Sequence, residues 1–76
     1  MNKLPILSGR ELVKILVKED FYVHHQTGSH IIMKSTKDLS IRISIPNHRV
    51  IKRGLLRAII YQAGLTREEF LNLIDK

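Results

Sequence analysis

The clearest hydropathic signal in the chain is a strict alternation, with Leu39, Ile41, Ile43 and Ile45 set against Ser40, Arg42 and Ser44. Period two of this kind predicts a strand with one face packed and the other in water, Arg42 on the wet side. Two earlier stretches tend to the same period. Phe21, Val23 and His25 fall on one face and Tyr22, His24 and Gln26 on the other. After Thr27-Gly28, Ser29, Ile31 and Met33 alternate with His30, Ile32 and Lys34. Both faces of this middle strand are partly apolar, so two phases are open. If Ile31 and Met33 are buried, His30 and Lys34 join Arg42 on the open face; in the reverse phase His30 is buried. Tight turns at Thr27-Gly28 and at Ser35-Thr36-Lys37-Asp38 join the strands. They predict an antiparallel meander, because parallel pairing needs long crossovers.

Helical spacing brackets this meander. Leu7-Ser8-Gly9-Arg10-Glu11-Leu12 carries a capping box, Ser8 to the amide three residues on and Glu11 back to Ser8, with Leu7 and Leu12 as a staple. The helix that follows carries Leu12, Ile15, Leu16 and Glu19 on one face, flanked by Val13 and Val17, and ends near Glu19-Asp20. Lys14 and Lys18 fall outside that stripe. Pro46 closes the third strand, Asn47-His48-Arg49 forms a loop, and Leu55, Leu56, Ile59, Ile60 and Ala63 predict a helix from about Lys52 to Ala63, with Gly64 beyond its end. Thr66-Arg67-Glu68-Glu69-Phe70 repeats the capping box and opens a short last helix to Ile74, with Leu65 stapling to Phe70. The expected fold class is α+β, in the order α-β-β-β-α with a short C-terminal helix.

Composition narrows the function classes. Seventy-six residues make one domain, 1–76, and 43% apolar residues suit a folded chain with a thin core. With no cysteine, a disulfide framework, a cysteine metal site and a cysteine nucleophile are all excluded. No apolar run approaches ~20 residues, and Met1-Asn2-Lys3-Leu4-Pro5 lacks the apolar segment of a signal peptide, so a cytoplasmic protein with no membrane span is expected. Thirteen Lys and Arg against seven acids give a net charge of +6, which attracts phosphate polyanions first and acidic protein surfaces second. Lys52, Arg53 and Arg57 open a helix whose macrodipole they oppose, so they point to an anionic ligand or to a plain solvated basic face.

The candidate chemistry centres on Thr27-Gly28-Ser29-His30. A Gly-Ser turn holds backbone conformations that bulkier residues resist, and imidazole titrates near neutrality, a pairing suited to proton transfer; the alternative is a hairpin turn beside a half-exposed strand histidine. His24, His25, His30 and His48 form no His-x3-His pair and have no carboxylate at ligand spacing, so neither a metal nor another cofactor is expected. No serine sits in a nucleophile elbow. What remains is a histidine among cations. Cleaving an RNA phosphodiester needs a base for the 2′-hydroxyl, cations for the growing phosphate charge and an acid for the leaving oxygen, and one acid or base is worth about 10² to 10⁴ in rate. Lys34, Arg42, Arg53 and Arg57 are the candidate phosphate contacts, and His48 is a candidate assistant. His24 and His25, as strand neighbours, are expected to face opposite ways, so at most one shares a surface with His30.

Several separated segments together resemble the HicA toxin family, also called YcfA-like mRNA interferases. They are Leu4-Pro5-x-Leu7-Ser8-Gly9-Arg10-Glu11, Phe21 leading to Gln26-x-Gly28-Ser29-His30, Ile45-Pro46-x-His48, Gly54-x-Leu56-Arg57-x-Ile59, and Gln62-Ala63-Gly64-Leu65-Thr66-x-Glu68-Glu69-Phe70. The resemblance spans nearly the whole chain. It implies a fold like that of double-stranded-RNA-binding domains (dsRBD-like) and a ribosome-independent RNase of a toxin-antitoxin system. It further implies that mRNA is the target, that the essential histidine matches His30 and that a HicB-like antitoxin covers the site; Gly28, Ser29 and His48, the last as assistant or phosphate contact, are supporting active-site candidates. Two departures stand out. His25 occupies a position before Gln26 where the family commonly has Arg or Lys, which makes this RNA contact weaker or pH-dependent. Asp20 stands where Gly often precedes the aromatic, a swap that Asp tolerates because it visits left-handed turns. Two readings from other classes are a non-catalytic RNA-binding module and a basic interaction module for an acidic partner.

Overall fold

The computed structural model describes residues 4–74. The segment Met1-Asn2-Lys3, in which no apolar leader is expected, lies outside them. The elements are α1 (Gly9–Val17), β1 (Phe21–Thr27), β2 (His30–Ser35), β3 (Arg42–Pro46), α2 (Arg53–Gln62) and α3 (Arg67–Ile74). The strands form one antiparallel sheet in the order β1-β2-β3, with the helices on one face, the α+β arrangement expected of a dsRBD-like chain.

Local chemistry sets the helix ends. The amide of Glu11 donates to Ser8 Oγ at 3.1 Å while that of Ser8 donates to Glu11 Oε1 at 2.9 Å. These bonds hold the Glu11 carboxyl below its ordinary pKa. Thr66 and Glu69 repeat the exchange at α3, at 3.1 and 2.8 Å. The N-cap of α2, Lys52, supplies no side-chain bond, and no acid occupies the first turn of that helix. Two of the three positive-φ turns among the described residues follow helices, at Asp20 (64°) after α1 and at Gly64 (76°) after α2. Asp20 is stabilised there by its carbonyl, which accepts from the Thr36 amide at 2.9 Å and the Thr36 hydroxyl at 3.0 Å.

The core lies between the sheet and the helices. Ile31 and Met33 of β2 and Ile43 and Ile45 of β3 pack with Leu12, Ile15 and Leu16 of α1, Leu56, Ile59 and Ile60 of α2, and Phe70 and Leu73 of α3. Ile31, Ile32 and Met33 are all buried, so the phase of β2 is decided by the cross-strand pairs Ile31↔Ile45 and Met33↔Ile43, set against the unambiguous alternation of β3. Val17, expected at the flank of the α1 stripe, is half exposed.

Three expectations fail, the first being the end of α1, which lies at Val17 and not near Glu19-Asp20. The third strand starts at Arg42 and not at Leu39, because Asp38 caps a turn there: its Oδ1 accepts from the amide and hydroxyl of Ser40 and its carbonyl from the Ile41 amide. Leu39 is left 77% exposed. The alternation in β1 also breaks. Its register slips between Val23 and His25, so that Val23 faces Met33, His25 faces Ile32 and His24 is the extra residue of a β-bulge. His25 and Gln26 therefore exchange the faces that simple alternation gives them.

Candidate active site on the open face of the sheet

The sheet face away from the helices carries the chemistry. His30 is the first residue of β2, exposed, paired with Thr27 on β1 and Pro46 on β3. Lys34, two pairs further along that face, lies opposite Arg42 and Tyr22. Between them Ile32, flanked by His25 and Ser44, is an apolar residue buried on the solvent side and separate from the main core. An imidazole at one end and two cations at the other thus share one surface.

The turn that delivers His30 is held from both sides. Gly28 has φ +55°, and a Cβ built there would meet nothing within 4 Å, so glycine is needed for its conformation and not for space. The Gly28 carbonyl accepts from Gln26 Nε2 at 3.3 Å. The Ser29 carbonyl accepts from the Asn47 amide at 2.6 Å, which ties the His30 turn to the loop carrying His48. That loop is braced in turn: the Gly9 amide donates to the His48 carbonyl at 2.9 Å, and the Ile51 amide to the Leu7 carbonyl at 2.7 Å. Gly9 is obligatory by sterics, since a Cβ there would collide with the Pro46 carbonyl oxygen.

The bulge brings His24 and His25 together where alternation predicts that they part. Their Nδ1 atoms are 2.7 Å apart and their rings meet edge to face with centroids 4.9 Å apart. The His24 ring also lies 6.3 Å from that of Tyr22, so both imidazoles share the open face with His30, Lys34 and Arg42. The charge of Lys34, with smaller contributions from desolvation, His25 and Arg42, pushes the His24 pKa below its ordinary value. His24 is the residue that sequence reasoning missed. Its only signal is the His-His doublet itself, since nothing in the flanking residues announces a bulge.

The basic residues of α2 are placed differently. Arg53 and Arg57 are exposed on the helical layer, and Arg57 lines a shallow apolar depression with Leu4, Ile60, Tyr61, Leu65 and Arg67. Lys34 and Arg42 therefore accompany His30, whereas Arg57 belongs to the other side of the molecule. Among the described residues, Lys34, Arg42, Arg53 and Arg57 enter no ion pair, while Lys37 and Asp20 form one on the surface at 2.9 Å. No group of three or more His, Asp or Glu side chains among them is set to hold a metal ion.

The family model described as HicA toxin of bacterial toxin-antitoxin systems matches residues 9–65, which include α1, the whole sheet and α2. The chain belongs to the HicA toxin family. Members of this family are toxins paired with an antitoxin in toxin-antitoxin systems. No match was found among curated proteins or among solved structures. The HicA match spans both halves of the braced frame, from Gly9 to the Pro46–His48 loop. Among its described residues, no helix is long and apolar enough to cross a membrane.

Proposed function

We propose that this HicA chain, as one domain over residues 1–76, is a metal-independent endoribonuclease that cleaves mRNA in the cytoplasm, with His30 in proton transfer. The observation that carries the proposal is the exposed His30 imidazole on a braced turn, sharing one open face with two unpaired cations, Lys34 and Arg42. In the reaction, the ribose 2′-oxygen loses its proton and attacks the adjacent phosphorus, the bond from phosphorus to the 5′-oxygen breaks, and that oxygen takes up a proton. The products are a 2′,3′-cyclic phosphate and a 5′-hydroxyl. His30 either takes the first proton or gives the second, and Lys34 and Arg42 offset charge on the phosphate. Gly28 and Ser29 hold His30 in position, and His48 lies on the neighbouring loop as an assistant. Arg53 and Arg57, on the helical layer, reach phosphates only where the RNA strand continues round the molecule, and a HicB-like antitoxin silences the toxin by covering the His30 face.

The test is cleavage of a defined RNA by purified wild type and His30→Ala, with EDTA present and the 3′ ends analysed. Wild type should yield cyclic phosphate ends, and His30→Ala should lose at least about 10²-fold in rate with its fold retained. A fully active His30→Ala chain would refute the assignment. Salt-sensitive RNA binding by wild type with no cleavage would instead support a non-catalytic RNA-binding module.

A further inference from the structure

The bulge in β1 builds a feature that catalysis at His30 does not require: two imidazoles joined through their Nδ1 atoms at 2.7 Å on the surface that faces solvent. The two residues need not be neighbours in space to satisfy the fold. Regular pairing would send one of them to each face.

We propose that His24 and His25 form a proton-linked clamp for a backbone phosphodiester of single-stranded RNA, lying on the substrate strand beyond the His30 site. The proposal rests on the ribonuclease reading above. Its chemistry follows from counting protons. With both rings neutral, one Nδ1–H donates to the other Nδ1, so the two outer Nε2 atoms are one acceptor and one donor, a poor match for an anion that only accepts. One added proton changes this without breaking the Nδ1 contact. Both Nε2 atoms then carry hydrogen and the pair bears one positive charge, which suits two oxygens of a phosphodiester. A second proton would have to break the Nδ1 contact, so the unit takes up one.

The surroundings favour coupling between proton and phosphate. The groups that share the face with the pair are Tyr22 on its own strand, His30 and Lys34 on β2 and Arg42 on β3, with Ile32 opposite His25, and among the described residues no acid bonds either ring to hold the extra proton in the free protein. Lys34 and Arg42 oppose protonation of His24 until a phosphate arrives to offset their charge. Binding of RNA therefore draws in a proton, and acidification tightens binding.

The experiment measures affinity for a single-stranded RNA oligonucleotide with every 2′-hydroxyl methylated, which cannot be cleaved by 2′-attack, at fixed ionic strength from pH 8 to pH 6. Wild type should tighten with falling pH, by up to about tenfold per unit, and calorimetry in two buffers of different ionisation enthalpy should give about one extra proton taken up per complex. The double variant His24→Gln, His25→Gln should bind as wild type does at pH 8, gain less than wild type on acidification and lose about one proton of uptake, any remaining slope belonging to His30 on the same face. His25→Lys, with a permanent charge at the clamp, should bind at pH 8 at least as tightly as wild type does at pH 6. An unchanged pH slope in the double variant would assign the proton to another histidine and overturn the clamp, as would pH-independent binding by wild type. Either outcome leaves the ribonuclease reading standing if His30-dependent cleavage persists. Failure to bind the oligonucleotide at any pH would remove the clamp and the RNA-binding face together.

Discussion

The two faces of the sheet are made by the same strands and obey different rules. On the inner face Ile31, Met33, Ile43 and Ile45 are all buried against helices, and each contributes through area removed from water. On the outer face His30, Arg42 and Ser44 are exposed beside a half-buried Lys34, and nothing packs over them except their own neighbours. The inner face fixes register and stability. The outer face is then free to gather cations and imidazoles that a core would reject, since burying a charge costs far more than leaving it wet. Stability and chemistry are thus separated by the thickness of one sheet.

This separation can be broken most severely from the inside. Ile43 is fully buried, so Ile43→Ala should cost about 2–5 kcal/mol in a denaturant titration, a large share of what a domain this small holds. Its outward neighbour Ser44→Ala should stay within about 0.5 kcal/mol. Equal losses at the two positions would mean that the outer face is not free of structural duty.

Gly9 sits where the two rules meet. Gly9→Ala forces a methyl group onto the Pro46 carbonyl, and the strain should cost about 1–3 kcal/mol. Because the same loop carries His48 and accepts the bond from the Gly9 amide, RNA cleavage should fall even under conditions where the variant remains folded. Full activity in folded Gly9→Ala would detach the loop from the site.

The mildest test concerns charge alone. Removing the cation in Lys34→Gln should raise the His24 pKa toward the ordinary imidazole value, read from the imidazole Cε1–H resonance during an NMR titration. The sign for stability follows. A folded-state pKa below the unfolded one means that the folded chain binds fewer protons, so this contribution is complete above the ordinary value and is lost as pH falls through the lowered one. Lys34→Gln should weaken that acid dependence, by a small amount because the group is exposed. No movement of the His24 resonance would place Lys34 too far away to matter.

The parts of the molecule that were legible in the sequence are those decided locally or by strict period. The boxes Ser8/Glu11 and Thr66/Glu69 are short-range devices, and both form as the spacing predicts. The inward positions Ile43 and Ile45 follow from alternation alone. The phase of β2 was not legible, because Ile31, Ile32 and Met33 are consecutive apolar residues and Ile32 is buried on the outer face. Only pairing with β3 resolves it. Leu39 misled because its hydropathy fits the strand while Asp38 and Ser40 hydrogen-bond a turn around it. The bulge at His24 was invisible for a different reason: a slipped register is a property of two strands, and neither sequence carries it.

The brace between residues 7–9 and residues 48–51 also divides the candidate site by how far along the chain each half must reach to be built. The turn that presents His30 is closed by Thr27, its partner across a two-residue connection. The loop that presents His48 is closed by the first turn of α1, from the opposite side of the whole meander. Joining distant residues carries the larger loop-closure entropy, so one half is a local hairpin and the other is built only where residues 7–9 and 48–51 meet. Parting residues 7–9 from residues 48–51 removes the frame that holds the His30 turn against the His48 loop.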